Sequence, residues 1–154
     1  MIYIIRFGEL SIKSNRVRKR FLNLAERNIR AALEREGITY SLKRGHLRFW
    51  LEAPAEAEGV LKRTFGVKSF SPAEEIRWES EVELIGKAAQ FFLPKVKGKT
   101  FGVRVKRVSG LRLSRTRLER ELGSALYDAA AGVNLEEPEV WCYLEIEPGV
   151  AWLF

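Results

Sequence analysis

A chain of 154 residues has room for one ordinary domain or two small ones, and 46% hydrophobic against 31% charged residues permits a core beneath a heavily ionised surface. No apolar run approaches a membrane span, and the opening "MIYIIRFGEL", broken by Arg6 and without a small-residue cleavage site, is not a signal peptide. The formal charge of +7 points to a polyanionic partner, nucleic acid ahead of a membrane surface.

"MIYIIRF" alternates as a first strand. "SNRVRKRFLNLAERNIRAALEREG" reads as a helix with Ser14 or Asn15 at its N-cap and Gly37 at its stop. Its expected apolar stripe is Val17, Phe21, Ala25, Ile29 and Ala32, with Arg16, Arg20, Asn23, Arg27 and Arg30 opposite and Lys19 close by. "ITYSLKRGHLRFWLEA" resembles a hairpin turning near Arg44-Gly45, and "AEAEGVLKRTFG" a short helix ending at Gly66. "VKSFSPAEEI" is extended, and "ESEVELIGKAAQFFLP" is a helix that Pro94 should halt. "TFGVRVKRV" sets Phe101, Val103 and Val105 against Gly102, Arg104 and Lys106, the alternation of a half-buried strand. Ser114 is a natural N-cap for "RTRLERELGSALYDAAAG", whose stripe is Leu118, Leu122, Ala125, Leu126 and Ala129. "EVWCYLEIE" and "VAWLF" read as strands around a turn at Pro148-Gly149.

Strands alternating with helices give an α/β (α+β) chain with a mixed sheet. The Ala/Pro/Glu-rich "EAPAEAE" marks the expected seam, dividing the chain into residues 1–53 and 54–154.

The distribution of cations is informative. Arg115, Arg117 and Arg120 fall at or near the start of one helix; Arg16, Arg18, Lys19 and Arg20 crowd the start of the other. A helix N-terminus already carries positive potential and unpaired N–H groups, so added cations oppose the macrodipole at roughly 0.3–1 kcal/mol each unless an external anion completes the arrangement. Ser14 and Ser114 could cap their helices or offer a hydroxyl to such an anion. Arg104, Lys106, Arg107 and Arg112, just ahead of the later helix, suit phosphate tracking beside a glycine that admits close backbone approach. The bland alternative is a solvated basic face.

Other chemistry is thin. The acidic residues show no ligand spacing for a metal, and there is no P-loop, dinucleotide fingerprint or Ser/His/Asp set. One cysteine, Cys142, excludes an internal disulfide framework and a cysteine-based zinc site within one chain; in "EVWCYLEI" it reads as a small buried hydrophobe, and a reducing, cytoplasmic setting is expected. Trp78, Trp141 and Trp152 read as core or sheet-face residues, while Arg48 and Trp50 share a strand face with the only histidine, His46. As acid or base, His46 supports a rival reading, a small endoribonuclease, against the plainer role of a turn residue. A second rival is a protein-interaction adaptor whose basic face meets an acidic partner.

Two segments carry a family resemblance. "GELSIKSNRVRKRFLNLAERNIRAAL", through Glu9, Lys13, Ser14, Arg18 and Phe21, resembles the N-terminal ferredoxin-like region of the tRNA 4-thiouridine synthetases (tRNA sulfurtransferases). "GKTFGVRVKRVSGLRLSRTRLERELGSAL", through Phe101, Arg104, Lys106, Arg107, Ser114, Glu119 and Gly123, resembles the signature of the THUMP domain that follows it there. Ser109 and Leu111 depart from the commoner Gly and His of that loop. The resemblance implies a small ferredoxin-like unit followed by a THUMP domain, binding tRNA at the acceptor stem and unpaired 3′ CCA end. It also implies a separate catalytic sulfurtransferase domain or modifying enzyme using ATP and a persulfide. Neither the SGGxDS loop nor a persulfide-carrying cysteine motif occurs in these residues, so the chain itself is expected to be a binding module, without catalytic residues, metal or cofactor. Either it is a piece of a longer protein or it stands alone, and pairing into a homodimer is left open. The expected RNA-binding residues are Arg104, Lys106, Arg107, Arg112, Ser114, Arg115 and Arg117, with Lys13, Arg16, Arg18, Lys19 and Arg20 as a second contact.

Overall fold

A computed structural model of the chain describes residues 1–8, 13–45, 48–108 and 110–154. Glu9, His46 and Ser109, each named above, lie outside the described residues. Two compact units divide at Ala73–Glu74.

In the first unit, strands β1 (Ile2–Arg6), β2 (Ser41–Arg44), β3 (Arg48–Glu52) and the first half of β4 (Ser69–Arg77) pair antiparallel in the order β2-β3-β1-β4. The register sets Ile4 opposite Trp50 on one side and Ser71 on the other. Period-two alternation turns Tyr3, Ile5, Phe49 and Leu51 onto one face. There they meet helices α1 (Asn15–Arg35) and α2 (Ala57–Arg63).

α1 begins where Ser14 Oγ accepts the Val17 N–H at 3.4 Å. It ends in a Schellman arrangement: Gly37, at φ +67°, donates to the Glu34 carbonyl and Ile38 to that of Leu33, both at 3.0 Å. Its buried stripe is Leu22, Ala25, Ile29, Ala32 and Leu33. Val17, expected in that stripe, is 50% exposed. The reason is length. A helix of 21 residues runs about 31 Å, whereas a strand of 5 residues covers about 17 Å, so the two cannot be covered end to end.

The expected seam near residue 53 falls inside this unit. Ala57, Val60 and Leu61 of α2 enter the first core, and Ser69–Ala73 pair with β1, so the division moves to the middle of β4. Local composition marked a loop there, while the sheet register decides where one core stops.

The second unit orders the rest of β4, then β8 (Val150–Leu153), β7 (Val140–Glu147), β5 (Thr100–Arg107) and β6 (Gly132–Val133). β4–β8 and β8–β7 are antiparallel; β7–β5 and β5–β6 are parallel, so the sheet is mixed. The parallel step is made by the crossover through α4 (Arg115–Tyr127). α3 (Glu81–Val96) and α4 cover one face with Leu84, Ala88, Phe92, Val96, Leu118, Leu122 and Leu126, against Phe101, Val103, Val105, Cys142, Leu144 and Ile146. Ala125 is exposed and α4 ends before Ala129, so the stripe is narrower than its sequence pattern.

Pro94 does not halt α3, which continues to Val96. A proline in the last turn removes a single ladder bond, and the fully buried Phe92 and Val96 hold that turn against the sheet. Cys142 is buried, and burial pushes its thiol pKa up to about 12, the behaviour of an inert core residue. No helix among the described residues is long and apolar enough to cross a membrane, and none of their His, Cys, Asp and Glu side chains form a metal-holding group.

Candidate nucleic-acid interface

Along β5 the core takes every second residue, which sends Arg104 and Lys106 out on the face away from α3 and α4, with Arg107 exposed at the strand end. The loop to α4 keeps this alternation. Leu111 and Leu113 pack on the core, and Arg112 between them is exposed. The leucine that departs from the family signature is thus an anchor for the loop. α4 then starts at Ser114, whose Oγ accepts the Arg117 N–H at 3.2 Å. The serine hydroxyl is used by its own helix, and Arg115 stands exposed in the first turn.

The cations do not all stay available. Arg117 Nε donates to Glu121 at 2.9 Å and its Nη2 lies 3.4 Å from Glu81, which raises the guanidinium pKa, the Glu121 hydrogen bond first. Arg104 lies over the Trp141 ring at 4.7 Å from its centroid and reaches the Leu135 carbonyl at 3.4 Å. Trp141 can lie there because Gly102, its register partner, has no side chain. A Cβ at Gly102 would meet Trp141 Cζ3 at 2.6 Å and the Asn134 carbonyl oxygen at 3.0 Å. Lys106, Arg107, Arg112 and Arg115 form no ion pair among the described residues.

Glu119 explains how α4 is held beside β5. β6 is only two residues long, so beyond Phe101 the outer edge of β5 lacks a strand neighbour. The Glu119 carboxylate accepts the Val105 N–H there at 3.0 Å, in place of a ladder partner. Between α4, this edge and the chain after β6 lies a groove of about 520 Å³. Phe101, Val103, Val133, Leu135 and Tyr127 give it an apolar floor, and Arg104 and Arg120 stand on its rim. Tyr127, Val133 and Leu135 are 58, 50 and 57% exposed. These groove residues escaped sequence reading: the elements that bear them are brought together only by the fold. The one visible signal was an apolar residue recurring outside the buried stripe of α4.

In the first unit, Arg16, Lys19 and Arg20 are exposed on the overhanging start of α1 without an ion pair among the described residues. Lys13 is exposed just before the cap. Arg18 instead closes the helix start, donating to Asn15 Oδ1 and to the Lys13 carbonyl, each at 3.2 Å. Arg30 and Arg44 converge on Glu26: Arg30 at 2.9 Å, Arg44 at 3.2 Å, with Arg44 also 2.6 Å from Asn23 Oδ1. The Arg30 hydrogen bond, then that of Arg44, holds the Glu26 carboxyl below the usual carboxylate range. That cluster ties β2 to α1 and leaves the basic face to the residues before it.

Comparison with known proteins matches residues 2–71 to the ThiI ferredoxin-like domain and residues 79–154 to the THUMP domain. A tRNA sulfurtransferase of Thermoplasma acidophilum is 35% identical over 147 residues, covering 94% of this chain and 30% of the relative. The chain therefore spans under a third of that relative's length. The crystal structure of PH1313 from Pyrococcus horikoshii superposes with a TM-score of 0.81 at 28% identity, over 99% of this chain and 53% of the other. A 4-thiouridine synthetase solved with RNA and ATP shares the fold, with a TM-score of 0.69 at 24% identity over 99% of this chain and 40% of the other. Carrying both domains in that order, the chain belongs to the family in which a ThiI ferredoxin-like domain precedes a THUMP domain, the arrangement of the tRNA sulfurtransferases.

Proposed function

We infer that the chain is a tRNA-binding module, gripping the acceptor stem and the unpaired 3′ CCA end so that a uridine elsewhere in the tRNA can be converted to 4-thiouridine. The observation that carries this reading is the row of unpaired cations from Lys106 to Arg115 beside an apolar groove with a cationic rim. Phosphates of a duplex end suit Arg107, Arg112 and Arg115, assisted by the positive end of α4. A groove that is apolar below and charged above suits unpaired bases, whose faces stack while their phosphates meet the rim. The exposed cations at the start of α1 supply a second contact to the stem.

In this reading the chain does no chemistry itself. ATP-dependent activation and sulfur transfer belong to the remaining length of the relatives, as a further domain or a separate enzyme, and the setting is cytoplasmic.

Filter-binding with an intact tRNA transcript and one trimmed of its CCA end tests the reading. The trimmed RNA should bind at least about tenfold more weakly, since each lost stacking contact is worth about 1–3 kcal/mol. Equal affinity for the two RNAs would exclude 3′-end capture.

A further inference from the structure

Phe65 is 78% exposed, while the other phenylalanines are buried or half-buried. It sits on the turn between α2 and β4, and that turn is held from several sides. The Thr64 hydroxyl donates to the Val60 carbonyl at 2.8 Å, and the Asn28 side-chain amide donates to the Phe65 carbonyl at 3.4 Å. Gly66, at φ +96°, turns the chain back, and a Cβ placed on it would stand 3.5 Å from Ala25 Cβ. The ring is therefore presented to solvent from a fixed backbone, in a place where the core could have used it.

Beside the ring, α1 and α2 leave a groove of about 840 Å³ lined by Asn28, Ala31, Arg35, Arg63 and Phe65 among others. Arg35 has no ion pair among the described residues, and Arg63 meets only Glu36, at 3.8 Å with both groups largely in solvent. Counting Arg35, Lys62 and Arg63 against Glu36, the immediate surroundings carry a formal +2. Leu24, one turn before Asn28, is 39% exposed and extends the apolar border toward the unpaired Arg20. One planar ring with a floor of small alanines is a narrow seat for a protein side chain, and a protein interface here would bury cations that nothing on this surface neutralises. A nucleobase fits better: its face lies on the ring and its flanking phosphates meet the arginines.

We propose that Phe65 stacks an unpaired base of the bound RNA, with Arg35 and Arg63 on the adjoining phosphates. This rests on the tRNA-binding reading and adds to it a base contact in the first unit, apart from the groove beside α4.

The test measures binding of a tRNA transcript over a salt series for the wild type, Phe65→Ala, Phe65→Trp and, in parallel, a paired R112Q/R115Q variant. Phe65→Ala should bind at least about fivefold more weakly at every salt concentration with the same salt slope, and Phe65→Trp should bind like the wild type. Because the ring is exposed, the thermal midpoint of both Phe65 variants should match the wild type. Wild-type affinity in Phe65→Ala alongside weakened R112Q/R115Q overturns the stack alone. Absence of tRNA binding by the wild type overturns the RNA reading and the stack with it.

Discussion

Single residues decide which cations the surface can offer. Arg115 and Arg117 are two positions apart on one helix, yet Arg117 is drawn back by Glu121 and Glu81 while Arg115 has no such neighbour. An exposed i,i+4 pair is worth only a few tenths of a kcal/mol, but it is enough to choose the rotamer. Gly102 shows the same economy of space. Its missing side chain admits the Trp141 indole, over which Arg104 is placed. Gly102→Ala should destabilise the fold by about 1–3 kcal/mol through overpacking, because both the indole and the Asn134 backbone would have to move. Urea denaturation of the variant measures this, and an unchanged midpoint would mean the indole relaxes without resistance.

At the scale of elements, both basic helices begin at a serine whose hydroxyl accepts the N–H three residues on. The hydroxyls are therefore structural, and the charge that faces outward comes from the arginines and lysines around them. Ser114→Ala should lower stability by about 1 kcal/mol while tRNA affinity stays close to wild type. A variant with wild-type stability and collapsed affinity would assign that hydroxyl to RNA instead. Glu119 acts on the same scale: one carboxylate on α4 takes the place of a missing strand along β5 and so opens a groove where a flush helix would leave none.

For the whole molecule, the number of free cations sets the response to salt. If Lys106, Arg107, Arg112 and Arg115 each neutralise a phosphate, log affinity should fall against log salt with a slope near −3, at about 0.7–0.9 per phosphate. Contacts from the start of α1 would steepen it. Replacing Arg107, Arg112 and Arg115 by glutamine should flatten the slope by about two to three, whereas Arg117→Gln and Arg18→Gln, whose charges are already engaged, should leave it close to wild type. A slope near zero for the wild type would remove the electrostatic basis of the proposed function.

Periodicity alone identified β1, the hairpin of β2 and β3, α1, α3, α4, β5, β7 and β8, and the two serine caps, because each of those signals is complete within one element. The clustering of cations was equally legible, since it is a matter of spacing along the chain. The sequence could not say that Val17 overhangs the sheet, that α3 runs past Pro94, or that the first core extends to Ala73, because these depend on what each residue packs against. Nor could it tell Arg115 from Arg117, or find the groove and the exposed ring of Phe65. Ion pairs, grooves and presented side chains arise between elements far apart in the chain, and only the strand register and helix packing bring those elements within reach of one another.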